Sequence, residues 1–101
     1  MLIVLTTTST TDEAESLANG LVGSRLAACV QILPKMTSVY TWERKVERAN
    51  ENLLLIKTLG EKYEAVEKYL LDHHSYDTPE IVAIDAQKVS DGYLKWLTDY
   101  L

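Results

Sequence analysis

The order of strand-like and helix-like segments is the feature that most restricts the fold of this 101-residue chain. Short apolar runs typical of strands alternate with stretches in which apolar residues recur at helical spacing. Strands are predicted at residues 2–5, 26–33, 37–43, 52–58 and 81–86, and helices from Thr11 or Asp12 to Gly23, from Gly60 onward and after Ser90. The order β-α-β-β-α-β plus a C-terminal helix predicts an α+β, ferredoxin-like fold in a single domain over residues 1–101.

Local signals refine these boundaries. Thr11 or Asp12 is predicted to cap the first helix, because side-chain oxygens accept hydrogen bonds from its free N–H groups. The threonines after residue 5 are predicted to form a loop, and the charged stretch 43–52 a turn. Pro34 has no N–H for a strand ladder, so it is predicted at a sheet edge or a bulge.

The central hairpin is predicted to be longer than the domain that carries it. A strand of roughly 14 residues at about 3.3 Å per residue reaches about 45 Å, whereas a compact domain of about 100 residues is about 34 Å across. The overhanging part carries Val39, Tyr40 and Trp42, an apolar edge of a kind that proteins normally cover. Another copy of the chain is the obvious cover, so a homo-oligomer with these residues at its interface is predicted.

Charge and cysteine content restrict the partners and the compartment. The net charge of -5 and the lack of a basic cluster argue against nucleic acid. No apolar run approaches the roughly 20 residues that span a bilayer, and the N-terminus does not resemble a signal peptide. The single cysteine, Cys29, is interpreted as a small buried hydrophobe, with a redox or metal role as the alternative. These features predict a cytoplasmic protein.

Ferredoxin-like folds carry many activities, so function must be read from individual sites. RNA-binding versions need aromatic platforms on the central strands, and LIVL and LLLI supply none. Metallochaperone versions need a CxxC pair after the first strand, where this chain has TTTST. The same stretch lacks the lysine or arginine of an anion-binding cradle, and no glycine-rich phosphate loop occurs anywhere in the chain.

Five stretches in combination resemble the CutA family of divalent-cation tolerance proteins: RLAACVQILP, SVYTWE, LLLIKT, TPEI and YLKWL. The resemblance spans essentially the whole chain. It implies a ferredoxin-like subunit that forms a tight homotrimer through its long hairpins, with a PII-like architecture. It also implies a link to copper tolerance and metal binding, without an established catalytic reaction or an organic cofactor.

The chain departs from the family pattern at four positions. Gln31 stands where asparagine is common, Arg44 where a glycine often follows the Trp-Glu pair, and Ser75 where proline is usual. Thr6 stands where some members carry a cysteine that is proposed to bind copper. Without that thiolate, the chain lacks the soft ligand best suited to Cu(I).

His73 and His74 are the candidate metal ligands, and the resemblance implies Cu(II) or another divalent ion as the metal. Neighbouring side chains of a helix point about 100° apart, so both can bind one ion only if the last helical turn unwinds. The alternative reading is a helix C-terminus, where cationic side chains complement the helix dipole.

Lys57 ends the otherwise apolar strand LLLIK and needs a partner if its ammonium group is buried. Glu80 is the predicted partner, and His74 and Tyr76 are near it in sequence. Two interpretations stay open for these four residues. They line an intersubunit cleft for a small anion or metabolite, or they form a structural polar cluster that fixes the register of the trimer.

Three functions follow from these sites. The leading hypothesis is a homotrimeric divalent-cation tolerance protein that binds copper or another divalent ion without catalysis. The alternative is a PII-like regulatory protein that binds a small metabolite or a partner protein at its intersubunit clefts. The third is an enzyme with His74 as a general base oriented by Glu80.

Overall fold

The elements of the fold follow the predicted order. The computed structural model describes residues 1–101. The elements are β1 (Leu2–Thr8), α1 (Thr11–Gly23), β2 (Cys29–Trp42), β3 (Lys45–Thr58), a 3-10 turn (Gly60–Lys62), α2 (Tyr63–His73), β4 (Val82–Asp85) and α3 (Asp91–Asp99). The predicted α+β, ferredoxin-like arrangement with a C-terminal helix is therefore confirmed.

Strands β1 and β3 form the centre of a four-stranded sheet with the order β2-β3-β1-β4. All neighbouring strands are antiparallel, and β1 pairs with β3 on one side and with β4 on the other. The edge strands are therefore β2 and β4, which confirms the predicted edge position of Pro34. A register shift between Leu33 and Met36 shows that a bulge surrounds this proline as well.

The threonines after residue 5 extend β1 and do not form the predicted loop. Thr6, Thr7 and Thr8 pair with β3 and are 0%, 6% and 0% exposed. β-Branched side chains favour an extended backbone, and the neighbouring strand satisfies their peptide groups. The Thr6 hydroxyl is buried without a hydrogen-bond partner.

Helix α1 is capped by Thr10, one residue before the predicted Thr11 and two before Asp12. The Thr10 side chain accepts a hydrogen bond of 3.1 Å from the N–H of Glu13. Because the strand runs on to Thr8, only two residues separate it from the helix, and the cap falls on the second of them. The helix ends at the predicted Gly23.

The hydrophobic core lies between one face of the sheet and the helices α1 and α2. Apolar residues from all three surfaces pack there with exposures of 2% or less: Val4, Ala14, Leu17, Leu21, Ala27, Leu54, Ile56, Val66 and Leu70. Both helices therefore cover the same face of the sheet. Helix α3 follows Ser90 as predicted and buries Leu97. None of the helices is long and apolar enough to cross a membrane.

The hairpin of β2 and β3 projects beyond the other strands. Residues 45–51, predicted as part of a turn, pair with β2 instead. Only Glu43 and Arg44 form the turn, with φ values of 48° and 66°, as is common where two residues join twisted strands. The molecule measures 45 Å along its longest axis against 25 and 22 Å along the others. The predicted overhang is confirmed, and we call residues 36–51 the projecting hairpin.

The second face of the sheet, which we call the open face, carries apolar residues that α1 and α2 do not cover. Side chains alternate between the faces of a strand, so the residues between the buried ones of β1 and β3 point to this side. Strand pairing places further apolar side chains beside them. The open face comprises Ile3, Leu5, Leu33, Leu53, Leu55, Val82 and Ile84, of which Leu33, Val82 and Ile84 are 44–50% exposed.

Candidate functional site

His73 is the last residue of α2, and one of its ring nitrogens is free. The side chain is exposed, and its ring stacks on Tyr69 with centroids 4.0 Å apart. Gly20 permits this arrangement, because a Cβ atom there would overlap the Tyr69 hydroxyl. The Nδ1 atom of His73 lies 2.8 Å from the Tyr69 carbonyl oxygen and therefore carries the hydrogen of that bond. The Nε2 atom keeps its lone pair and is available to a ligand.

His74 is buried, and both of its ring nitrogens are occupied. Its side chain is 0% exposed. The Nε2 atom lies 2.8 Å from the Thr7 carbonyl oxygen, so Nε2–H donates to it. The Nδ1 atom accepts a hydrogen bond of 3.1 Å from the Tyr76 N–H, and Glu13 Oε2 lies 3.7 Å from Nδ1. These bonds fix His74 as a neutral ring that joins the end of β1 to the loop after α2.

The loop after α2 is also attached to α1 through Glu13. The Ser75 N–H donates to Glu13 Oε2 at 2.7 Å, and the Ser75 hydroxyl donates to Oε1 at 2.9 Å. A proline at this position would have no N–H for the first bond. The departure from the family pattern at Ser75 therefore has a structural consequence. Nothing local in the sequence indicates Glu13, because its partner is 62 residues away.

Tyr76 connects the same loop to the projecting hairpin. Its hydroxyl donates a 2.8 Å hydrogen bond to Glu51 Oε2. Burial, together with the neighbouring Glu51 carboxylate, raises the pKa of Tyr76 to about 12. Burial by itself would raise the pKa of Glu51, but hydrogen bonds from Ser38, Tyr76 and Thr7 lower it below the ordinary value. Glu51 lies in the stretch that was predicted to be a turn, so its sequence context gives no sign of this contact.

Lys57 lies apart from this network and is paired with Tyr93 of α3, not with the predicted Glu80. Its Nζ atom donates to the Tyr93 hydroxyl at 3.1 Å and lies 5.2 Å from the ring centroid. Glu80 takes part in no ion pair. Six residues of strand separate Lys57 from Glu51, about 20 Å. Cys29 is the strand partner of Lys57 and lies half-buried at the start of β2.

One cavity, which we call the hairpin cleft, is lined by the predicted interface residues and by two residues of the predicted ligand cleft. Its volume is about 1030 Å³, and it lies between the projecting hairpin and the loop of residues 75–80. The predicted interface residues Val39, Tyr40 and Trp42 line it together with Tyr76 and Glu80. Strand alternation places Tyr40 and Trp42 on the same side as Glu51 and the open face. Lys57 and His74 are outside the lining.

The geometry restricts how the histidine pair can bind a metal. Of the four ring nitrogens, only Nε2 of His73 is free, and His74 would have to give up one of its two hydrogen bonds to coordinate an ion. The chain contains no group of three or more His, Cys, Asp or Glu side chains that could hold a metal ion. A single chain therefore offers one exposed imidazole, not a closed coordination site.

The fold and these sites define a ferredoxin-like protein with a projecting hairpin and a polar cleft at its base. More narrowly, the chain belongs to the family described as CutA1 divalent ion tolerance protein, whose model matches residues 2–100.

Known proteins of this family are similar over most of the chain. The chloroplastic protein CutA of Arabidopsis thaliana is 41% identical over 96 residues, which are 95% of this chain and 53% of that protein. The CutA homolog of Xenopus laevis is 40% identical over 86 residues, which are 85% of this chain and 57% of that protein. The chain thus spans about half the length of these two relatives.

A solved structure matches along its whole length. The structure described as the periplasmic divalent cation tolerance protein CutA from Archaeoglobus fulgidus superimposes with a TM-score of 0.94 at 36% identity. The match covers 99% of this chain and 98% of that one. The projecting hairpin and the β2-β3-β1-β4 sheet therefore belong to an architecture that is known for this family.

Proposed function

We propose that this chain acts in divalent-cation tolerance by binding copper or another divalent ion, without catalytic turnover. The match to the divalent ion tolerance family over residues 2–100 carries the proposal. The exposed Nε2 of His73 supports it, since imidazole is a good ligand for Cu(II) and Zn(II). His74 is the second proposed ligand and joins only when its bond to Thr7 or its bond to Tyr76 opens.

Calorimetric titration with Cu(II) tests this proposal. The wild-type chain is expected to release heat that His73→Ala strongly reduces and that the double variant His73→Ala, His74→Ala abolishes. His74→Ala alone is expected to retain most of the binding, because its ring nitrogens are already occupied. Lys88→Gln, an exposed change far from α2 in sequence, is the control. Unchanged binding in the double variant would contradict the proposed ligands.

We further propose that the chain is a homotrimer assembled through the open face and the projecting hairpin. The exposed apolar side chains of the open face, Leu33, Val82 and Ile84, support self-association, as do the unpaired edges of β2 and β4. Val39, Tyr40 and Trp42 are 58%, 45% and 62% exposed in the single chain and are the proposed anchors. Tyr and Trp are common at such interfaces because each combines a large apolar ring with a polar atom.

Light scattering tests the assembly. The expected mass is close to three times the 11.4 kDa of the chain. Trp42→Lys is expected to lower the mass towards that of the monomer while the circular dichroism spectrum stays that of a folded chain. Val22→Lys, at a 43% exposed position on α1, is the matched control and should leave the mass unchanged. A monomeric wild-type protein at micromolar concentration would refute the trimer.

A PII-like regulator is the second candidate, and the hairpin cleft favours it. The cleft combines apolar walls with a hydrogen-bonded Glu51–Tyr76 pair, a mixture typical of small-molecule sites. A metabolite or a partner peptide that binds there should raise the melting temperature of the wild-type protein and not that of Tyr76→Phe. A ligand that stabilises both proteins equally would exclude the cleft as its site.

The proposed compartment is the cytoplasm, on the basis of the single free Cys29. Two relatives carry the words chloroplastic and periplasmic in their descriptions. Cell fractionation with an antibody against the chain distinguishes these locations. Recovery outside the cytoplasmic fraction would refute the assignment.

A further inference from the structure

We propose that a second cavity, distinct from the histidine pair and from the hairpin cleft, binds a small oxyanion, the phosphate or carboxylate group of a metabolite. This cavity, which we call the Lys35 cavity, has a volume of about 410 Å³ and shares only Glu51 with the hairpin cleft. Its volume lies within the range of small-molecule sites, roughly 300–1,000 Å³. All six residues that line it are polar: Ser9, Thr11, Lys35, Asn50, Glu51 and Asn52.

Three separate segments build the Lys35 cavity. The turn between β1 and α1 contributes Ser9 and Thr11, β3 contributes the Asn50–Asn52 segment, and the bulge of β2 contributes Lys35. The stretch TTTST has no basic residue of its own, so the sequence around it does not indicate an anion-binding cradle. The bulge brings a lysine to this turn from 24 residues further along the chain than Thr11. The fold thereby brings residues with hydroxyl and amide groups and one lysine together around a single cavity.

Asn52 is a buried, hydrogen-bonded residue of the cavity lining. The residue is 4% exposed. Its Oδ1 atom accepts a 3.3 Å hydrogen bond from the Lys35 N–H, and its Nδ2 atom donates to the Thr11 hydroxyl at 3.5 Å. The second N–H of this amide makes no hydrogen bond within the chain. A buried polar group normally finds a partner, and an oxyanion in the cavity would accept from this N–H.

Lys35 has a left-handed backbone conformation within the bulge of β2. Its φ is 48°, a region that disfavours every residue with a Cβ atom and that glycine enters freely. Strained residues of this kind concentrate at functional sites. The Lys35 ammonium group forms no ion pair within the chain, so its charge is available to a ligand.

The negative groups near the cavity are engaged elsewhere. Glu51 points to the opposite side of β3 from Asn50 and Asn52 because side chains alternate along a strand, and its carboxylate accepts the Tyr76 hydroxyl. Glu13, in the first turn of α1, accepts both bonds from Ser75. The Lys35 ammonium group repels a metal cation from the cavity, whereas it forms strong charge-assisted hydrogen bonds with an oxyanion.

Titration of the metal-stripped protein with inorganic phosphate, and separately with malonate, tests the proposal at constant ionic strength. Saturable heat is expected with at least one of the two anions. Lys35→Gln is expected to weaken that binding at least about tenfold, since it removes a charge-assisted bond, whereas the control Lys88→Gln leaves it unchanged. The anion that binds identifies the group as phosphate or carboxylate. Because no divalent metal is present, failure here leaves the proposed metal function untouched.

Two further variants separate binding from folding. Lys35→Gly removes the ammonium group and relieves the backbone strain, so it is expected to melt at the same temperature as the wild type or higher while losing the anion. Ser9→Asp adds a repelling charge at an exposed position of the lining and should abolish binding. Absence of saturable binding in the wild type, or equal binding in the wild type and Lys35→Gln, would overturn the proposal.

Discussion

The two halves of β3 are stabilised in different ways, although they form one continuous strand. In the body of the protein, residues 52–58 alternate between fully buried and half-buried side chains. In the projecting hairpin, residues 45–51 of the same strand contain no buried side chain, and Val46 is 76% exposed. Apolar burial stabilises the body, whereas the projecting hairpin depends on backbone pairing with β2. One strand can thus belong to a core at one end and to an exposed hairpin at the other.

The largest expected effect is a core truncation in the body. Leu54→Ala should lower the free energy of unfolding by about 2–5 kcal/mol, because Leu54 is 0% exposed and its loss leaves a cavity. Val46→Ala, in the projecting hairpin, should change it by less than about 0.5 kcal/mol. Urea unfolding measures both variants. If both variants lost the same free energy of unfolding, the two halves of the strand would be stabilised in the same way.

The next largest effect is expected at His74, which joins the end of β1 to the loop after α2 at the base of the projecting hairpin. His74→Ala should cost about 1–3 kcal/mol, because it leaves the Thr7 carbonyl and the Tyr76 N–H without partners. His73→Ala should cost less than about 0.5 kcal/mol, as expected for an exposed side chain. The same urea experiment compares these neighbours. A larger loss for His73 would contradict the assignment of His74 as the structural member of the pair.

A smaller effect of opposite sign is expected at the tip of the projecting hairpin. Arg44→Gly should raise the free energy of unfolding by about 1 kcal/mol, because glycine adopts a φ of 66° without the penalty that a Cβ atom brings. Arg48→Gly, within the same hairpin but in regular strand, should lower it by about 0.5–1 kcal/mol. Thermal unfolding of the two variants, monitored by circular dichroism, separates the predictions. Destabilisation by Arg44→Gly would show that the arginine side chain makes a compensating contact.

The last effect is confined to alkaline pH and concerns the Tyr76–Glu51 bond. The pKa of Tyr76 is raised from 10.0 to about 12 by folding, so its contribution to stability is complete below pH 10. This contribution is lost as the pH rises to about 12, because the unfolded chain releases the proton first. Tyr76→Phe should therefore reduce the loss of stability between about pH 9 and about pH 11.5. An unchanged loss in the variant would exclude Tyr76 as its source.

The sequence was sufficient to predict what depends on local pattern. The spacing of apolar residues and the positions of glycine and proline predicted the element order and the position of Pro34. The length of the strand-like segments predicted the overhang of the hairpin. The errors lie where a distant segment decides the outcome. Thr6, Thr7 and Thr8 form strand because β3 supplies their hydrogen-bond partners, and residues 45–51 form strand because β2 does the same.

The candidate site was less predictable, for the same reason. Neighbours in sequence suggested that His73 and His74 act together, yet Tyr69 holds one ring at the surface and Thr7 holds the other inside. The pairing of Lys57 with Tyr93 crosses 36 residues. The spacing of residues along the sequence does not indicate such contacts, because they form only after the helices and the sheet have packed.

The central position of β1 has a consequence for the kinetics of folding. The β2–β3 hairpin closes through a two-residue turn, whereas β1 pairs with Thr58 and Asp85, both far away along the chain. Contacts between distant residues form slowly because a long loop must close first. We therefore expect pulse-labelled hydrogen exchange to show protected hairpin amides before protected β1 amides during refolding. The strand that comes first in the sequence would then enter the sheet after the hairpin, and β4, whose only partner in the sheet is β1, could not pair before it.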